Sequence, residues 1–117
     1  MVIEKVLAGI GVGDLSSAQS WYARLFGRRP DAEPMEGLVE WHPTEGGGLQ
    51  LIEDRERAGS SYATIVVSSL DEMLAALEVE GIPAGPVVGT PGLVRASTVT
   101  DPEGNLITFT EDLTGKG

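Results

Sequence analysis

Apolar residues alternate with small or polar ones from Leu7 to Val12, then recur at helical spacing as Leu15, Ala18, Tyr22, Leu25 and Phe26 ahead of Gly27. The change of period from two to about 3.6 predicts a strand leading into a helix, and a glycine there supplies the left-handed residue that ends one. The same signals return 55 residues later, where Tyr62-Ala-Thr-Ile-Val-Val-Ser-Ser-Leu70 aligns with Leu7-Ala-Gly-Ile-Gly-Val-Gly-Asp-Leu15. Leu70, Met73, Leu74 and Leu77 then mark a second helix before Gly81 and Pro83. Asp14 and Ser69 hold equivalent N-cap positions, and Ser69 with Glu72 has the spacing of a capping box.

Beyond each helix, short alternating runs separated by turn residues predict further strands. In the first copy these are Gly37 to His42 and Leu49 to Glu53, joined through Gly46-Gly47-Gly48; in the second, Leu93 to Thr100 and Asn105 to Glu111, joined by Asp101-Pro102-Glu103-Gly104. A shift of 58 superimposes Leu49-Gln-Leu-Ile-Glu-Asp54 on Ile107-Thr-Phe-Thr-Glu-Asp112, so the repeat extends to the closing strands. Each half reads strand, helix, then two or three strands. One half cannot bury the apolar face of its sheet alone, so the two are expected to form one α+β domain over residues 1–117. Module one spans about 2–54, a polar connector 55–60, and module two about 61–113. The sheets are expected to make a curved cup with helices on the outer face.

Side chains alternate across a strand, so the two copies together assign faces. Ala8, Ile10, Val12, Leu49 and Leu51, matched by Ala63, Ile65, Val67, Ile107 and Phe109, are apolar in both copies and are assigned to the helix side. The opposite face receives Leu7, Gly9, Gly11, Gln50, Ile52, Tyr62, Thr64, Val66, Thr108 and Thr110, a mixture of small, apolar and polar groups suited to orienting a ligand. A four-residue turn at Asp101 to Gly104 would set Ser97 opposite Thr108 and bring Arg95 to the same face.

Composition narrows the function. A formal charge of -10 with no Lys and Arg cluster argues against nucleic acid as a partner. The absence of cysteine removes disulfides, thiolate catalysis and cysteine metal sites, and fits a cytoplasmic location. Met1-Val-Ile-Glu-Lys5 leads directly into a strand instead of forming a signal peptide, and the apolar runs are short of a membrane span. Gly9, Gly11 and Gly13 lie within a strand without nucleotide-loop spacing, and Gly46 to Gly48 lacks a following helix, so neither reads as a phosphate cradle.

The opening strand ending Val12-Gly13-Asp14-Leu15, the run Trp21-Tyr22 before Leu25-Phe26-Gly27, and the closing Asp101-Pro102-Glu103-Gly104-Asn105 resemble the vicinal oxygen chelate superfamily, which includes glyoxalase I, bleomycin-resistance proteins and extradiol dioxygenases. The resemblance implies paired βαβββ modules, an open cup and a homodimer. Its enzymes hold a divalent metal with His, Glu or Gln, and the positions matching those ligands here are Leu7, Gln50, Tyr62 and Thr108. An alkyl group, an amide, a phenol and a hydroxyl are poor donors for such an ion, so no metal and no cofactor is expected. His42 is the sole histidine and matches no ligand position.

The preferred reading is a family member without the usual metal site that binds a small organic molecule, sequestering a drug or toxic metabolite. Tyr62, Gln50, Trp41, Thr108 and Arg95 are the residues expected to hold it, by ring stacking, an amide, a hydroxyl and a guanidinium. Trp41 also suits the core, Arg95 a solvated strand, and His42 an ordinary turn position. The alternative is an enzyme: a lyase or dioxygenase with unorthodox metal ligands, or a metal-free catalyst with His42 or Tyr62 as proton carrier. A cup filled by its own side chains would instead serve protein interaction.

Overall fold

A computed structural model of the chain describes residues 1–115. Strand β1 (Val6–Val12) leads into helix α1 (Leu15–Phe26), followed by strands β2 (Ala32–Met35), β3 (Leu38–Thr44) and β4 (Gly47–Glu53). The pattern repeats with β5 (Tyr62–Val66), α2 (Leu70–Val79), β6 (Val88–Thr90), β7 (Val94–Thr100) and β8 (Leu106–Asp112). The chain is therefore α+β, two βαβββ modules with one four-stranded mixed sheet each, ordered β1-β4-β3-β2 and β5-β8-β7-β6. The first strand of each module runs parallel to the last, and the remaining pairs are antiparallel. The repeat did not reveal β2 and β6, which are short edge strands with Pro34 and Gly89 in them; such residues are tolerated only where no inner ladder is interrupted.

The compact units follow the modules with one exchange: Met1–Ser61 together with Asp101–Asn105 form the first, and Tyr62–Thr100 with the chain from Leu106 onward form the second.

Both helices are fixed by the same device. The side chains of Asp14 and Ser69 accept from the amides of Ser17 and Glu72, at 3.3 and 3.2 Å. Equivalent carboxylates at the ends of the closing strands, Glu53 and Glu111, accept from the first helical amides, Leu15 and Leu70, at 3.3 and 2.7 Å. Amides at a helix start have no partner within the helix, and a carboxylate also suits the positive end of its dipole. Gly27, at φ 72°, ends α1 as its sequence position predicts.

In the first unit Ile10, Val12, Val39, Trp41, Leu49 and Leu51 pack beneath Ala18, Tyr22 and Leu25 of α1. In the second, Ala63, Val99, Ile107 and Phe109 join Leu70 and Leu77 of α2. The apolar face assigned from the repeat is thus the helix side in both sheets.

The Asp101–Asn105 turn belongs to the first unit and fills a polar gap there. Asn105 is fully buried; its amide donates to Gly11 O and Asp101 Oδ2, and its Oδ1 accepts from Ser61 N. Asp101 Oδ2 also accepts from the Tyr22 hydroxyl at 2.8 Å, while Oδ1 accepts from the amides of Glu103 and Asn105. Burial, then the neighbouring Asp101 charge, pushes the Tyr22 phenol well above its ordinary value and keeps it a donor. Glu103 completes the turn by accepting from Gly13 N at 2.6 Å.

This turn also corrects the expected register. Asp101 N donates to Asn105 O, which draws Asn105 into the loop and makes Thr100 and Leu106 the first ladder pair. Thr98, not Ser97, therefore stands opposite Thr108. A one-residue slip reverses every face, so Ser97 and Arg95 turn toward the helix side.

Candidate functional site

On the open face of the first sheet, the face away from α1, three polar side chains lie together. Glu40 and Gln50 are direct cross-strand partners on β3 and β4, and Gln50 Nε2 donates to Glu40 Oε2 at 2.6 Å. The other carboxylate oxygen, Oε1, lies 2.8 Å from His42 Nε2. Glu40 is only 8% exposed, so these bonds replace the water that a carboxylate otherwise requires.

Glu40 and His42 came to this face through a bulge. Thr44 pairs with Gly47 at the hairpin, yet Trp41 pairs with Leu49, so the register shifts by one residue around His42 and Pro43. Proline lacks the amide that an unbroken ladder would use. The bulged backbone is satisfied elsewhere: His42 N donates to Asp31 Oδ2 at 2.6 Å, and Arg28 donates to both Asp31 and His42 O. The His42 amide first, and the Arg28 guanidinium with it, hold the Asp31 carboxyl below its ordinary range. Counting back from the Gly46 turn without the shift would place Trp41 beside Gln50 and would turn Glu40 beneath the helix.

Glycines let the groups beside the trio pack closely. Gly9 stands beside Gln50 in β1. A Cβ at Gly48 would lie 2.6 Å from Leu7 Cδ2 and from Trp41 O, and 3.2 Å from the His42 ring. Only glycine lets those groups approach across β4. Leu38 and Ile52, paired to one side, supply an apolar flank.

The electrostatics favour an ionised Glu40. Hydrogen bonds from Gln50 first and His42 second, with the charge of Lys5 adding to them, hold its carboxyl below the ordinary value against the opposing effect of burial. A depressed folded-state value contributes stability that is complete above the unfolded value, about 4.3 for glutamate, and is lost as pH falls through the folded one. Glu40→Gln is accordingly expected to lose less stability than the parent between about pH 5 and about pH 3. Denaturant melts across that range measure it, and identical acid limbs would contradict the ionised arrangement.

On the open face of the second sheet, Tyr62, Thr64 and Val66 of β5 stand beside Leu106, Thr108 and Thr110 of β8. Tyr62 is 77% exposed and offers a ring face to solvent. The Thr108 and Thr98 hydroxyls share a hydrogen bond of 2.8 Å.

Three residues thus occupy the faces assigned to them: Gln50 in the first unit, Tyr62 and Thr108 in the second. Two do not. Trp41 is wholly buried under α1, its Nε1 donating to Arg28 O and its ring 5.4 Å from that of Phe26, so it has no surface for a ligand. Arg95 lies on the helix side, where its guanidinium holds Asp71 of α2 at 2.9 Å; that partner raises the arginine and lowers the aspartate. Sequence reasoning omitted Glu40 and left His42 a turn residue; the signal missed was Pro43, which marks the bulge that turns both outward.

The donor set does not suit the divalent ion that the resemblance implies. Leu7 has nothing to coordinate with, Gln50 offers only a neutral amide oxygen, and the Thr108 hydroxyl is bonded to Thr98. Among the described residues no three His, Cys, Asp or Glu side chains cluster as a metal would need, and no helix is long and apolar enough to cross a membrane.

No protein-family model matches the chain, and no curated protein does. Solved structures do. A glyoxalase/bleomycin-resistance protein from Catenulispora acidiphila is 34% identical, with 92% of this chain and 97% of that one covered and a TM-score of 0.85. An antibiotic-binding protein from a Streptomyces species is 22% identical over 96% and 98%, with a TM-score of 0.78. A lactoylglutathione lyase from Agrobacterium tumefaciens is 18% identical over 96% of each chain, with a TM-score of 0.76. At these last two identities the likeness is one of fold.

Proposed function

The chain belongs to the glyoxalase/bleomycin-resistance family, and from that premise we propose that it binds a small organic molecule on the open faces of its sheets and sequesters it, as a drug or toxic metabolite would be sequestered. The observation that carries this reading is the Gln50–Glu40–His42 trio, a hydrogen-bonded polar group on a sheet face flanked by Gly9 and by the apolar Leu38 and Ile52. Few polar groups against small and apolar residues are what a small-molecule site needs. Tyr62 and Thr108 serve the same purpose on the second face, the ring for stacking and the hydroxyl for orientation. The Streptomyces neighbour, described as antibiotic-binding, lends support through its shared fold.

A thermal-shift panel of chemically diverse compounds tests the proposal. A ligand at a hundredfold excess over its dissociation constant adds about 2.7 kcal/mol, a shift of several degrees at this size. Gln50→Ala is expected to weaken a hit held on the first face about tenfold, the worth of one well-formed hydrogen bond. Tyr62→Ala is expected to do the same to a hit held on the second, without loss of stability, because its ring is exposed. No hit, or hits indifferent to both changes, would overturn the reading.

The Glu40–His42 pair favours one second reading. A carboxylate that orients an imidazole is the usual support for a general base, so a metal-free proton transfer at His42 is the enzymatic alternative. Turnover of a bound compound, abolished by His42→Phe, would establish it.

A further inference from the structure

The bonds within the trio determine what it presents outward. An ionised carboxylate only accepts hydrogen bonds, so both neighbours of Glu40 must donate to it. Gln50 therefore turns its NH2 toward Oε2, which leaves Gln50 Oε1 directed away as an acceptor. His42 likewise places its proton on Nε2, and a neutral imidazole protonated there carries its lone pair on Nδ1. Neither Gln50 Oε1 nor His42 Nδ1 has a hydrogen-bond partner among the described residues, and neither is sealed from solvent, since no buried side-chain polar atom among them lacks a partner.

Two outward acceptors are thus tethered to the two oxygens of one carboxylate, with that negative charge beneath them. A hydroxyl can satisfy only one acceptor, and a carboxylate ligand would meet acceptors and a like charge. An ammonium group has several N–H donors and a positive charge, and so meets both requirements. The formal charge of -10 favours the same guest at long range. Lys5 is the cation nearest in effect on Glu40, and the Arg28 guanidinium is occupied by Asp31 and His42 O.

Resting on the binding function proposed above, we infer that the ligand class is a protonated primary or secondary amine attached to an apolar body, its N–H groups received by Gln50 Oε1 and His42 Nδ1 above the Glu40 carboxylate. The apolar body would lie along Leu38 and Ile52.

Matched triples test this directly: phenethylamine, phenethyl alcohol and phenylacetate, and tryptamine, tryptophol and indole acetate, each titrated near neutral pH by protein-observed NMR. The amine of each triple is expected to bind at least tenfold more tightly than its alcohol and its acid, with shifts centred on Glu40, His42 and Gln50. Glu40→Gln, which keeps the side chain's shape and removes its charge, is expected to erase that preference, and His42→Phe to weaken amine binding about tenfold. Equal binding by all three members would leave the binding function standing and remove the amine inference. Binding by none would remove the amine inference and leave the binding function to the thermal-shift panel. If a variant fails to fold, the comparison within triples on the unmodified protein decides by itself.

Discussion

Trp41→Ala is expected to cost about 4 kcal/mol of stability, the upper range for truncating a large core aromatic. The ring is completely buried, lies 5.4 Å from Phe26 and 6.2 Å from Tyr22, and its Nε1 donates to Arg28 O. Its removal leaves both a cavity and an unpaired carbonyl at the turn that supports the His42 bulge. Trp41→Phe keeps most of the volume and should cost less than half as much. Denaturant unfolding monitored by far-ultraviolet circular dichroism measures both, and a loss under about 1 kcal/mol for the alanine variant would mean that the ring does not pack as described.

Asn105→Ala is the second large effect, at about 3 kcal/mol or more, equivalent to roughly ten degrees in melting temperature. The side chain makes three hydrogen bonds in a fully buried place, to Ser61 N, Gly11 O and Asp101 Oδ2. Each partner is left unsatisfied when the amide is deleted, and unsatisfied buried groups cost more than the bonds contribute. The Asp101-Pro102-Glu103-Gly104-Asn105 motif is therefore structural in this chain: its carboxylates and amide stitch a turn onto the edge of β1 and onto Tyr22. A calorimetric melt within two degrees of the parent would refute that role.

Much of the fold was legible because the chain states it twice. A helix period that follows a strand period at Leu15 and again at Leu70, with cap residues at Asp14 and Ser69, specifies both helices within a residue or so. The inner apolar faces were equally readable, since Ala8, Ile10, Leu49 and Leu51 have apolar counterparts. The outer faces were less so, because their register depends on two irregularities that alternation does not encode. One is the shift at Pro43, which sends Trp41 inward and Glu40 outward. The other is the capture of Asn105 by Asp101, which reverses Arg95 and Ser97. In each case a single displaced residue moved side chains from one side of a sheet to the other, and the chemistry of the face changed with them. Buried partnerships across long separations, such as Tyr22 with Asp101, leave no periodic trace.

The first compact unit is discontinuous, and this bears on its synthesis. Asn105 bonds to Gly11 across 94 positions, and Asp101 to Tyr22 across 79. The ribosome must therefore release the chain through Asn105 before the first sheet acquires its last interior partners. Until then Gly11 O lacks the Asn105 amide and the Tyr22 hydroxyl its Asp101 acceptor, so a nascent chain that stops short of the turn carries the first sheet without its interior polar partners.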